Sequence, residues 1–157
     1  MSIETGRAYL TRKGYGERIM EFAVSSATVE LAAQAVGCEG ARIAKTLSFA
    51  VGEGCVLIVC AGDAKIDNSK FKQFFHCKVT MLSPEQVEAF TGHTVGGVCP
   101  FGIEREDVTA YLDVSLQRFE TVYPAAGNAA SAVRLSCEEL YDLANAAGWI
   151  DVCKNWA

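Results

Sequence analysis

The sequence predicts an α/β fold: one domain, residues 1–157, on a mixed, mostly antiparallel sheet curled into a partial barrel with helices around it. Three observations predict it. Strand-like alternation and capped helical segments are interleaved along the chain, as in a sheet crossed by helices. Tight hairpin signals join neighbouring strands, which gives antiparallel pairings. The 157 residues suffice for one core, and no linker, internal repeat or low-complexity stretch divides them.

Taken in order, residues 3 to 13 form a weakly amphipathic helix stopped by Gly14, and Arg18 to Val24 reads as a strand. Thr28 caps a helix whose Leu31, Ala32, Ala35 and Val36 share a face, with Gly37 at the left-handed stop. Ala41 to Ala44 reads as a short further turn. From Lys45 the pattern alternates, Leu47, Phe49 and Val51 on one side and Thr46, Ser48 and Ala50 on the other, up to the turn Gly52-Glu53-Gly54. The returning strand, Cys55 to Ala61, is apolar throughout and so central, covered on both faces. Asp67 caps a helix that turns Phe71, Phe74 and Phe75 inward. Ser83-Pro84-Glu85-Gln86 combines a cap, proline at the first helical position and a capping-box glutamine, with Leu82 and Val87 placed for a hydrophobic staple. Val108 to Asp113 and Glu120 to Ala125 read as strands joined by a turn of helix at Ser115 to Arg118, and Ala132 to Leu135 adds another strand. Ser136 and Glu139 make a second capping box for a helix carrying Leu140, Leu143, Ala144 and Ala147 and ended by Gly148. Trp149 to Val152 is a closing strand.

The net charge of −5 is the reverse of what many phosphate contacts require, so an RNA partner would be met through a local patch. Arg12, Lys13 and Arg18 form one candidate and Lys65, Lys70, Lys72 and Lys78 another; each also reads as an ordinary solvated face. The seven cysteines are an odd count with no Cys-x-x-Cys pair, which argues against a zinc ribbon, a thioredoxin-like motif or a disulfide scaffold. Apolar neighbours, as around Cys55 and Cys60, mark them as small buried hydrophobes. Only His76 and His93 are present, no ligand pair has metal spacing, and neither metal nor cofactor is expected. No apolar run is long enough to span a bilayer and the N-terminus lacks a secretory pattern, so a cytoplasmic protein with no membrane partner is expected.

The stretch Gly92 to Gly102 is apolar, yet four glycines and Pro100 exclude it from regular structure. Gly96 and Gly97 lack the Cβ atoms that would keep a ligand from the backbone, so the loop reads as folded over a pocket, or else as a tightly packed connection. Lys45 shares strand parity with Leu47, Phe49 and Val51. In that partly apolar setting desolvation would lower its pKa and suit it as a polarising charge or base, unless it snorkels to water.

Lys45 opening Lys-Thr-Leu-Ser-Phe, Ala61-Gly-Asp63 with Ile66-Asp67, the Thr91-Gly92-His93 step into Gly96-Gly-Val-Cys-Pro100-Phe-Gly, Tyr111-Leu-Asp113 and Ala126-Gly127-Asn128 together resemble the YbaK/ProX family. This family comprises free-standing aminoacyl-tRNA deacylases and the related editing domain of bacterial prolyl-tRNA synthetases. The match runs in order over nearly the whole chain. The resemblance implies hydrolysis of the ester joining a wrong small amino acid, of the cysteine, alanine or serine class, to the 3′ acceptor end of a mischarged tRNA. It implies an active lysine at Lys45 and a pocket loop from Gly96 to Pro100. Lys45, Gly96 and Gly97 are the expected catalytic groups. Thr46, Val98, Cys99, Pro100, Phe101, Asp113, Gly127 and Asn128 are the expected substrate contacts. Backbone N–H groups near Gly96 and Gly97 would meet the oxyanion, Lys45 would orient the terminal phosphate or ribose, and water or a substrate group would attack. Cys99 is the rival nucleophile, although no His or Asp is placed by sequence to activate it. Some relatives carry serine, lysine or histidine around Gly127, where this chain has Asn128. An aminoacyl-tRNA synthetase is expected as a further partner. The alternative is a non-catalytic module that binds aminoacyl or nucleotide ligands or docks on a synthetase.

Overall fold

A computed structural model describes residues 2–23, 28–93, 98–127 and 130–156. Helix α1 (Ser2–Arg12), strand β1 (Ile19–Glu21) and helix α2 (Val29–Val36) come first. The hairpin of β2 (Ile43–Val51) and β3 (Gly54–Ala61) follows, then β4 (Lys65–Ile66), α3 (Asn68–Phe75) and α4 (Pro84–Thr91). Next come β5 (Val108–Asp113), a 3-10 turn at Val114–Arg118, β6 (Thr121–Pro124), β7 (Ser131–Val133), β8 (Leu135–Ser136) and α5 (Cys137–Leu143). Two short strands, β9 (Trp149–Ile150) and β10 (Cys153–Lys154), come last.

Six strands form a curled half-barrel in the order β8-β6-β2-β3-β5-β9. The pairings β2–β3, β6–β8, β1–β7 and β4–β10 are antiparallel, while β2–β6, β3–β5 and β5–β9 are parallel. The apolar run of β3 does take the centre, with Leu57 through Ala61 fully buried. One hydrophobic cluster reaches from Leu10 of α1 through β3 and Phe71 of α3 to Cys153 of β10.

The caps behave as their side chains dictate. Thr28 accepts from the Leu31 amide, Asp67 from Ser69 and Lys70, and both predicted capping boxes, at Ser83 and at Ser136, are closed. Several expected details differ. The strand expected over Arg18 to Val24 is confined to Ile19–Glu21 among the described residues, paired with β7 in a separate ribbon. The turn expected at Ala41 to Ala44 is a 3-10 turn at Gly40–Arg42, and β2 already begins at Ile43. Leu31 and Phe74 are exposed. The α2 side that packs is Ala32 and Ala33, and Phe74 lies edge-on to Phe75 and Tyr111 at the rim. The expected strand Ala132 to Leu135 is split between β7 and β8. Helix α5 stops at Leu143, a turn earlier than its apolar spacing suggests. Asn145 adopts φ 50°, which frees the Ala147 amide to bond the Ala110 carbonyl of β5. No described helix is long and apolar enough to cross a membrane.

Candidate functional site

A cleft of about 420 Å³ opens over the first half of β2. The alternation of β2 sets its floor, from Ile43 to Ser48. Val29 and Ala32 of α2 form one wall, and Leu82, Pro84 and Val87, the staple and first turns of α4, form another. Val98 from the glycine-rich loop closes the rim, with Tyr123 and Ala125 at the end of β6. The walls are apolar, and their polar residues are few: Thr28, Lys45, Thr46, Ser48, Tyr123 and Ser131. Apolar walls with a few convergent polar groups make this cleft the candidate site. A second hollow, about 690 Å³, lies behind the loop between Tyr9 and Arg105. Its Arg105 is already committed to Asp107, and neither Lys45 nor Thr46 reaches it.

Lys45 is half-buried, and its Nζ donates to the Gly62 carbonyl at 3.3 Å. This carbonyl can stand there because residue 62 has no side chain. A Cβ would lie 2.1 Å from the Gly40 oxygen and 2.7 Å from Val29 Cγ1. Beside it, Asp63 holds Arg118 in a two-pronged pair at 3.0 and 2.5 Å; that hydrogen bond, with a smaller contribution from Lys45, keeps the Asp63 carboxyl below its ordinary range. Thr46 follows Lys45 along the cleft floor, and its Oγ1 is buried without a hydrogen-bond partner among the described residues. A hydroxyl left in that state is a group whose partner comes from elsewhere.

The loop is held from beneath by a residue whose role sequence reasoning missed. His93 is fully buried; its Nε2 lies 2.8 Å from the Phe101 carbonyl and 3.5 Å from Cys99 Sγ. Because a carbonyl only accepts, the short contact assigns the proton to Nε2. Burial lowers the His93 pKa, while the carbonyls of Phe101 and Gly127 oppose the shift. A histidine thus stands beside Cys99, where sequence spacing placed none, but it cannot serve as its base. The nitrogen facing the thiol already donates to Phe101, and burial pushes the thiol itself up to about 12.

The other expected site residues divide. Val98 joins Lys45 and Thr46 in the cleft. Cys99 and Phe101 are fully buried in the main core, and Phe101 stacks on Tyr9 at 6.4 Å. Pro100 borders the hollow behind the loop. Asp113 is buried beneath the sheet, where its two oxygens accept from the Ser115 and Val152 amides, each at 2.9 Å, so it supports the fold. Gly127 is buried with φ 126°, a conformation glycine alone adopts readily, in the turn that leads into β7. Gly96, Gly97 and Asn128 lie outside the described residues. Among the described residues, no three His, Cys, Asp or Glu side chains gather as a metal centre would need.

The curled mixed sheet with its surrounding helices is the fold of an editing domain. The chain belongs to the aminoacyl-tRNA editing domain family, which matches residues 24–143, and it is an enzyme of that family, a hydrolase acting on ester bonds. It is 50% identical over 157 residues to the uncharacterized protein YwhH of Bacillus subtilis (strain 168), covering 99% of both chains. It is 34% identical over 121 residues to EbsC of Enterococcus faecalis (strain ATCC 700802 / V583), named as a candidate Cys-tRNA(Pro)/Cys-tRNA(Cys) deacylase; the match covers 75% of this chain and 73% of that one. A crystal structure of a candidate trans-editing enzyme for prolyl tRNA synthetase superposes with TM-score 0.88 at 30% identity, over 98% of this chain and 97% of that one.

Proposed function

We propose that this protein, as a single domain in the cytoplasm, clears mischarged tRNA by hydrolysing the ester that joins a small amino acid, of the cysteine, alanine or serine class, to the 3′ acceptor end. The observation that carries the reading is the placement of Lys45, on the Gly62 carbonyl and at the floor of an apolar cleft of about 420 Å³. An ester needs no strong nucleophile when water is held beside it. Water adds to the carbonyl carbon, the ribose oxygen leaves with a proton, and the free amino acid and the tRNA 3′-hydroxyl are the products. Lys45 supplies the positive charge that orients the terminal ribose or phosphate. Backbone amides of the Gly96–Pro100 loop, anchored below by His93, Cys99 and Phe101, meet the developing oxyanion. The apolar walls of α2 and α4 select the amino acid by size, and the free hydroxyl of Thr46 takes a polar group of the substrate.

The name of EbsC favours cysteine as the amino acid, and that of the crystallised neighbour favours a prolyl-tRNA synthetase as the accompanying partner. The test is hydrolysis of a panel of tRNAs charged with alanine, serine, cysteine, proline or threonine. Turnover of one or two of the small ones supports the reading. No turnover by the folded protein, with or without a synthetase, overturns it in favour of a binding module.

A further inference from the structure

One surface outside the cleft carries charge that the fold does not need. In the β4–β10 ribbon Lys65 and Lys154 are direct partners, so two exposed ammonium groups share one face of an antiparallel pair. Like charges directly opposed in this way destabilise a ribbon. Lys70, nearby, is neutralised by Asp151, whereas neither Lys65 nor Lys154 forms an ion pair among the described residues. The carboxylate that acts on Lys154 is Asp67, already occupied in capping α3.

A line of ring-stacked guanidinium groups, each also paired with a carboxylate, runs from the ribbon to the cleft. Two residues past Lys154, the Trp156 ring carries the Arg118 guanidinium at 5.1 Å. The Phe119 ring carries both Arg118, at 4.9 Å, and Arg42, at 5.1 Å. Arg118 is fixed on Asp63, the neighbour of Gly62, whose carbonyl holds Lys45. Arg42, paired with Glu39 at 3.1 Å, directly precedes Ile43, the first cleft residue of β2. Guanidinium groups already held by rings and carboxylates lose little freedom when they meet a phosphate.

We infer that the surface from Lys65 and Lys154, past Trp156, Arg118 and Phe119, to Arg42 is a track for the phosphates of a single RNA strand entering the cleft. On the deacylase reading, on which this rests, that strand is the 3′ strand of the charged tRNA. An overall charge of −5 repels RNA elsewhere, so the track also fixes which way the strand enters.

The test is a Lys65→Ala/Lys154→Ala double variant, assayed on full-length charged tRNA and on the same amino acid esterified to adenosine, which is too short to reach the ribbon. On tRNA, kcat/KM is expected to fall about tenfold at low salt, and the slope of log kcat/KM against log salt to flatten by about two. On the adenosine ester it is unchanged, and Tm is equal or higher because the repulsion is gone. No loss on tRNA, or the same loss on both substrates, overturns the track. A loss seen only when a synthetase is added assigns the surface to a protein and overturns it too. If the wild-type protein hydrolyses neither substrate, the deacylase reading fails separately. Labelled uncharged tRNA then decides: weaker, less salt-sensitive binding by the double variant supports the track, and equal binding overturns it.

Discussion

The imidazole of His93 lies 2.8 Å from the carbonyl oxygen of Phe101, so the entry and the exit of the glycine-rich loop are tied to one buried ring. The same ring touches the Cys99 thiol at 3.5 Å. The loop can be rich in glycine at its centre because its ends are fixed in the core.

The burial of that ring makes stability depend on pH. Burial lowers the His93 pKa below its ordinary 6.5, so on acidification the unfolded chain binds the proton first. The stability tied to His93 is complete above pH 6.5 and is lost as pH falls from there through the lower folded value. Asp63, Asp67 and Asp107, all held below their ordinary values, lose their contribution only in stronger acid. Urea unfolding at about pH 7.5 and about pH 5.5 should show lower stability at the acid end, and His93→Gln should remove most of that slope.

A thiol this deeply buried, with its pKa pushed up to about 12, is a packing group. Cys99→Ala is expected to cost about 1 kcal/mol of stability and to leave ester hydrolysis intact. Iodoacetamide should not inactivate the native protein. Loss of activity in the folded variant would restore Cys99 as a nucleophile.

Gly62→Ala forces a Cβ to within 2.1 Å of the Gly40 oxygen, a backbone atom that cannot swing aside. The expected cost is about 1 to 3 kcal/mol in denaturant unfolding. Because the Gly62 carbonyl must shift, the Lys45 ammonium is released, and kcat should fall in the folded fraction as well.

Asp113→Asn separates a fold role from a substrate role. The carboxylate accepts from two backbone amides, and an amide side chain turns an N–H toward one of them. Stability should drop by about 1 to 3 kcal/mol, read by urea unfolding. The folded fraction should hydrolyse ester at the wild-type rate.

Local physics made much of this molecule legible in its sequence. Period-two alternation announced the β2–β3 hairpin, and Ser83 and Ser136 announced their helices because a capping box closes within four residues. Lys45 was legible as a charged residue in register with apolar ones. Contacts between distant segments were not. Nothing local shows that His93 folds beneath Cys99 and Phe101, or that Lys65 will stand opposite Lys154. Helix α5 was read a turn too long because its apolar spacing continues to Ala147, while the left-handed Asn145 hands that amide to β5. Asp113 is expected as a substrate contact from the family resemblance, and its bonds to the Ser115 and Val152 amides depend on a distant segment that residue order does not show.

The most direct test of the account is single-turnover hydrolysis of the charged tRNA that the protein prefers, comparing wild type with Lys45→Ala at matched stability. The account predicts a loss of about a hundredfold or more in rate, with the variant still folded and its urea midpoint little changed. Hydrolysis by Lys45→Ala at the wild-type rate would contradict it, and would place the chemistry outside this cleft.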